Sequence, residues 1–372
     1  MKPGVYEGIS NAEYHGGPGI SKSGLDLVHR SPMHYNAVVT AANDHTPTAA
    51  QELGTAAHAL ILEPDVFAAT YCMALRRSDV PDAIDDREVL VEMVNKLNEG
   101  RLAKLPTSGN KTELIARIME FTGWTGETSE LEAMKGAELK AIIEKANESR
   151  TGLLPTSGSR HDLAYLLRTN GVEVTLWSDV LAEWTENNPG RIVLTPEQWD
   201  QLHAMAAAVH AHPAAGSLLT SCPGEAEKSV YWIDATTGVL CRCRPDWWRD
   251  DNVIVDLKTT EDASPEGFAK SIANWRYDVQ AAYYLDGVQQ ATGKRPKAFV
   301  FIAVEKKPPY GVGVYVLDSE SLDLGRAQYQ HDLRVYAECV RTGEWPGYGD
   351  KIQTISMPGW HANKNQHLLG AV

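Results

Sequence analysis

Three side chains in one short stretch have the chemistry to handle a phosphodiester. Residues 241–258 place Asp246 after a β-rich run, then a polar turn, then a second apolar run ending Asp256-Leu257-Lys258. A period of two puts Val253, Val255 and Leu257 on one face of that last run, and Ile254, Asp256 and Lys258 on the other. A carboxylate and an ammonium then share one side of a strand end, with Asp246 available from the preceding strand. Two hard oxygen donors beside a lysine suit a Mg²⁺ site with a cation next to the attacked phosphate. Glu227, just ahead of a hairpin, adds an acidic donor. Gln280 and Tyr284, four apart on an expected helix, share a face from which both could reach a phosphate or the metal. A lone Asp-x-Lys is far more often a surface ion pair than a catalytic centre, so the elements that carry these residues must decide.

Those elements read as an α/β core. Strands are expected over 228–234 and 239–244, joined by a turn at Thr237-Gly238, and over 253–258, 298–304 and 312–317. One long helix is expected over 265–292 and a closing helix over 320–342. Upstream, Ser21 or Ser23 caps a short helix that ends before Ser31-Pro32. Residues 41–50 read as a loop. Residues 52–62 read as a helix whose Gly54, Ala56, Ala57 and Ala59 permit close packing; His58 in its middle reads, taken alone, as structural. Amphipathic helices follow over 177–184 and 196–212, the latter opened by Thr195-Pro196-Glu197. Strands flanked by helices give the α/β class.

Between these parts lies an internal repeat. Leu105-Pro106-Thr107-Ser108-Gly109 recurs as Leu154-Pro155-Thr156-Ser157-Gly158, an offset of 49. Leu90, Met93 and Val94 align with Leu139, Ile142 and Ile143, and Leu114 and Ile118 with Leu163 and Leu167, at the same offset. Each unit is a helix, a linker and a second helix, with capping boxes at Asn110/Glu113 and Ser159/Asp162. Lys111 and Arg160, each at a first helical position, are suited to meet phosphate. Residues 96–171 carry 11 basic and 10 acidic groups, a net +1, which leaves −15 for the rest of a chain of net −14. The expected organisation is 1–81 and 172–372 forming one core, with 82–171 as a helical insert.

The chain is 43% hydrophobic and 23% charged, enough apolar mass for a sizeable core. No apolar run approaches the roughly 20 residues of a membrane span, and the opening Met-Lys-Pro-Gly-Val-Tyr-Glu has no apolar signal region, so the expected location is the cytoplasm, away from membranes. Net charge of −14 argues against a basic DNA coat but not against a DNA enzyme with a confined positive channel. Cys72, Cys222, Cys241, Cys243 and Cys339 lack paired CxxC spacing and read as free thiols, not a zinc or iron–sulfur site.

Taken as an ordered set, Gly54-Thr55-Ala56-Ala57-His58, Pro245-Asp246, Asp256-Leu257-Lys258, Gln280 and Tyr284 resemble the PD-(D/E)xK nuclease superfamily in its RecB-like branch. Gly19-Ile20-Ser21-Lys22-Ser23, Glu227-Lys228-Ser229-Val230-Tyr231-Trp232, Trp345-Pro346-Gly347-Tyr348 and Pro358-Gly359-Trp360 are most similar to the exonuclease VIII (RecE) group of phages and prophages. The resemblance implies a central mixed sheet flanked by helices, and His58, Glu227, Asp246, Asp256 and the Leu257 carbonyl around one or two Mg²⁺ or Mn²⁺ ions. It further implies that Lys258 activates or orients water and that Gln280 and Tyr284 position the strand. By the same resemblance the substrate is linear double-stranded DNA, digested 5′ to 3′ for phage-type recombination by a ring-shaped homo-oligomer working with a single-strand annealing protein. The repeats resemble SAP and helix-extension-helix DNA-binding motifs. Competing readings are a single-strand nuclease or endonuclease of the same superfamily, and a non-catalytic DNA-binding protein that uses the repeats.

Overall fold

The computed structural model describes residues 1–41 and 48–368, so most of the loop expected over 41–50 lies outside the described residues. Thr48 already caps the helix Ala49–Leu62. The chain divides into two compact units, Met1–Tyr71 with Ile192–Val372, and Cys72–Arg191. The second unit is wider than the expected 82–171. On its C-terminal side, Val174 and Leu176 pack into the same apolar cluster as Leu90, Val94, Leu163 and Leu167, which carries the unit past residue 171.

The larger unit is mixed α/β. Two of its sheets are built from β1 (Gly4–Tyr6), β2 (Gly224–Ala226), β3 (Ser229–Ile233), β4 (Leu240–Cys243), β5 (Trp247–Arg249), β6 (Val253–Thr260), β7 (Ala298–Glu305) and β8 (Val312–Tyr315). The central five-stranded sheet has the order β8-β7-β6-β5-β2, and β1-β3-β4 form a second sheet. In the central sheet β6 and β7 run parallel, joined by the helices over 265–292, and the other pairs are antiparallel. β6 is buried on both faces, with the expected alternation. Ile254 packs with Phe299 and Phe301 in one layer, and Val255 and Leu257 pack with Ile302 and Val304 in the other. Ala56 and Ala57 of the His58 helix belong to this second layer. Their small side chains let the helix lie close over β6, where a Cβ on Gly54 would meet the Thr259 hydroxyl at an ordinary 3.8 Å.

The long helix expected over 265–292 is instead two, Pro265–Trp275 and Tyr277–Thr292. Arg276 between them is left-handed, with φ of 54°, a conformation costly for a side chain with a Cβ. Neither proline nor glycine marks the break; tertiary contacts impose it. The Arg276 guanidinium bonds Asp26 of the helix Lys22–Arg30 at 2.9 Å and Asp332 of the helix Ser319–Thr342 at 2.5 Å. Gly325 in that last helix is seated against the start of Tyr277–Thr292: a Cβ there would lie 2.3 Å from the Asp278 carbonyl oxygen.

In the smaller unit the repeat pairs across copies. The helix Arg87–Asn98 of the first copy shares a core with Arg160–Thr169 of the second. The helix Lys111–Phe121 of the first shares a separate core with Gly136–Glu148 of the second. Bonds at equivalent positions join the copies reciprocally. Asn98 exchanges both its amide bonds with the backbone of Leu154, at 3.0 and 2.8 Å, and Asn147 does the same with Leu105, at 2.9 and 2.8 Å. Arg101 donates to the Gly152 carbonyl and Arg150 to the Ala103 carbonyl. The unit therefore has a pseudo-two-fold character. Asn98→Ala and Asn147→Ala should destabilise it by similar amounts, about 1–3 kcal/mol each, since each leaves two backbone groups unpaired. Amide exchange at Leu154 and Leu105 in the two variants measures this; markedly unequal losses would contradict the symmetry.

Candidate active site

Asp246 occupies the link between β4 and β5. Its Oδ2 accepts the Leu257 backbone N–H at 2.8 Å, which ties the carboxylate to β6. The same oxygen lies 3.5 Å from His58 Nδ1. Glu227 follows β2 in a left-handed conformation, φ 55°, with its N–H directed to the Asp246 carbonyl at 3.3 Å. This corner turns the Glu227 carboxylate inward, 3.7 Å from the Arg244 guanidinium. One donor atom each from His58, Glu227 and Asp246 then fall within 4.8 Å of one another.

Asp256 sits beside this cluster with no exposed surface. Gln280 donates to its Oδ1 at 2.6 Å, and Lys258, two residues along on the same strand face, pairs with Oδ2. Burial, then the charge of Asp246, raises the Asp256 carboxyl above its usual range, against the pull of Lys258. Glu227 is likewise raised, by burial first and Asp246 second, with Arg244 opposing and Glu63 adding to the repulsion. Burial works against the Lys258 ammonium, but Asp256 and Asp246 together outweigh it, so its pKa is raised and it stays charged.

Two carboxyls in mutual repulsion, Glu227 and Asp246, with the His58 imidazole beside them, form a donor set for a hard divalent cation. His58, Glu227 and Asp246 would hold it. Asp256 lies outside this three-donor cluster; Gln280 donates to its Oδ1, and its Oδ2 is ion-paired with the Lys258 ammonium. Leu257 enters the site through its amide, donated to Asp246; the expectation concerned its carbonyl. Tyr284 packs edge-on against Phe299 at 5.9 Å and feels the charges of Asp256 and Asp246. In the smaller unit, Lys111 and Arg160 stand at their helix starts as expected, and each donates to a backbone carbonyl, of Glu132 and of Asp85 respectively. Cys241 and Cys243 are free, buried core residues.

Sequence reading passed over four residues around the site: Arg244, Glu63, Lys22 and Tyr277. Lys22 is largely buried, donates to the Trp275 carbonyl at 2.7 Å and pairs with Asp26. Tyr277 did leave a signal: with Gln280 and Tyr284 it follows i, i+3, i+7 spacing, one helix face.

Residues 177–358 match the model of a family described as a PDDEXK-like domain of unknown function (DUF3799). That stretch is similar to a PDDEXK-like domain over just under half of the chain. The matched stretch takes in Glu227, Asp246, Asp256, Lys258, Gln280 and Tyr284, while His58 lies before it. Among solved structures, a "Putative exonuclease" from Eubacterium rectale is 16% identical with a TM-score of 0.33, over 60% of this chain and 84% of its own. The protein SSO0001 is 12% identical with a TM-score of 0.21, over 68% of this chain and 84% of its own. No curated protein matches the chain. Among the described residues, no helix is long and apolar enough to cross a membrane.

The raised carboxyls set a sign for pH dependence. A carboxyl whose folded pKa is raised stabilises the fold below its ordinary range and loses that contribution as pH rises through the folded value. Metal-free protein should therefore lose melting temperature as pH climbs from the carboxylate range through neutral, and added Mn²⁺ or Mg²⁺ should restore most at the high end. Glu227→Gln should flatten both trends. Melting curves from pH 5 to pH 9, with and without cation, test this; a cation effect that is independent of pH would count against the assigned donors.

Proposed function

We propose that this protein is a metal-dependent nuclease that hydrolyses phosphodiester bonds of linear double-stranded DNA from its ends. The observation that carries the reading is the adjacency of two groups: the His58–Glu227–Asp246 donor cluster, and the Lys258–Asp256–Gln280 chain beside it. A bound Mg²⁺ or Mn²⁺ would lower the pKa of its water and offset charge at the attacked phosphate.

The chain's own residues account for the rest. Asp246, held by the Leu257 amide, keeps its orientation without relying on the cation. Asp256 anchors the Lys258 ammonium at the site, and Gln280 keeps Asp256 from rotating. Lys258 orients the attacking water and meets the phosphate oxygens as charge develops on them. Tyr284, one turn beyond Gln280 and packed on Phe299, would position the nucleic acid, as the family resemblance implies. Action on duplex ends, 5′ to 3′ polarity, a ring-shaped assembly and a role beside an annealing protein follow from the RecE-like motifs, from Gly19-Ile20-Ser21 to Pro358-Gly359-Trp360.

Incubation with Mg²⁺ and end-labelled linear duplex, single strand and closed circle tests the reading. Linear duplex should be degraded from its ends, and Asp256→Asn or Lys258→Ala should lower the rate by about 10²–10⁴-fold. Cutting of the closed circle would replace the exonuclease with an endonuclease; preference for single strands would move the substrate; no cutting at all would leave a DNA-binding protein.

The repeat unit is proposed as a duplex-binding arm, because two helix starts each carry a cation, Lys111 and Arg160, on a segment far less acidic than the rest of the chain. Replacing both with alanine should reduce the slope of log affinity against log salt by about 2 and weaken binding uniformly across sequences. An unchanged slope would leave the repeats a bracing role.

A further inference from the structure

Lysine is a long, flexible side chain, and a lysine that must meet one phosphate needs more than its charge to stay in place. Lys258 has two neighbours that restrict it. One is Asp256, on its own strand. The other is aromatic: the ammonium lies over the ring of Tyr277, 4.8 Å from the centroid. An ammonium on a ring face is attracted by the ring quadrupole, most strongly where water is excluded, and the Lys258 side chain is only 15% exposed.

The ring is itself fixed from several sides. Tyr277 packs against Phe268 at 6.2 Å and Phe301 at 6.0 Å, and Phe301 is the register partner of Asp256 across the parallel β6–β7 pair. Phe301, which supports the ring, and the carboxylate thus rise from neighbouring positions on one sheet face. Tyr277 is also the first residue after the helix break. Arg276, left-handed and clamped between Asp26 and Asp332, sets where the new helix begins. Lys22 braces the break by donating to the Trp275 carbonyl, and its ammonium approaches the same ring at 5.9 Å. From this start, one helix face delivers Tyr277 to Lys258 and Gln280 to Asp256.

We infer that Tyr277 is a positioning residue, whose ring, delivered by the break at Arg276, seats the Lys258 ammonium against Asp256. Its meaning for catalysis rests on the nuclease reading; the seating itself does not. The ring carries the effect and the phenol hydroxyl does not, so phenylalanine substitutes for tyrosine and an aliphatic residue of similar bulk does not.

Two measurements on the full-length protein test this. In protein made with ¹³C-labelled lysine, the Lys258 ε-CH₂ signal, assigned by its absence in Lys258→Ala, should be shifted upfield by the ring current. The shift should persist in Tyr277→Phe and vanish in Tyr277→Leu. In single-turnover cleavage of linear duplex, Tyr277→Leu should lower the rate about 10-fold or more with half-saturation little changed, while Tyr277→Phe stays within about 3-fold of the parent. In a Lys258→Ala background, Tyr277→Leu should cost nothing further, since the two then act as one unit. An unshifted Lys258 signal in the parent protein overturns the inference without any variant. So does a Tyr277→Leu loss that persists in the Lys258→Ala background, or equal losses in Tyr277→Phe and Tyr277→Leu. A parent protein that cuts no DNA overturns the nuclease reading, and the lysine signal still decides whether Tyr277 seats Lys258.

Discussion

A carboxylate with no exposed surface sits at the centre of this core, and much around it exists to make that tolerable. Asp256 on β6 is enclosed between the sheet and the helix Tyr277–Thr292. Stripping water from a carboxylate is expensive unless each oxygen finds a partner. Gln280 supplies one and Lys258 the other. Lys258 comes from the same strand, but Gln280 depends on elements from elsewhere in the sequence: on the helix break at Arg276, and that break on Asp26 and Asp332. The ion pairs around Arg276 thus hold the register of the helix that satisfies Asp256.

The same enclosure explains the electrostatics beside it. Asp246 cannot be spared as a donor, yet its charge pushes both Asp256 and Glu227 toward protonation. A cation among His58, Glu227 and Asp246 would relieve that repulsion, so affinity for metal and the raised carboxyls share one physical origin. Glu227 adds backbone strain at its left-handed corner. Strain of this kind persists where the surroundings over-determine it, and here the Asp246 carbonyl and Arg244 do so.

Much of this was legible in the sequence because it is periodic or local. The alternation along β6 assigns Asp256 and Lys258 to one face and Leu257 to the other, and the caps at Ser21, Asn110, Ser159 and Thr195 mark true helix starts. What escaped has tertiary causes. The break at Arg276 carries no glycine or proline, so a helical pattern runs straight through it. β1, β2 and β5 are three residues long, too short to show a period. Tyr277 reads as one more core aromatic until Lys258 is seen over its ring. The engagement of both Asp256 oxygens likewise needs the fold, because Gln280 approaches from 24 residues away.

The pairing of the repeats was also invisible, since an offset of 49 looks the same whether each copy folds on itself or on its neighbour. The observed arrangement is nested, and nesting dictates an order of assembly. The inner helices, Lys111–Phe121 and Gly136–Glu148, are separated by a short connection and can close their core early, at small entropic cost. The outer helix Arg87–Asn98 must wait for Arg160–Thr169, the last helix of the repeat pair to leave the ribosome. By then the intervening chain is already compact, and the ends to be joined are tethered by a folded body in place of a long loose loop. A tandem duplication paired in this way matures from the inside out, and its first-made helix is its last to be covered.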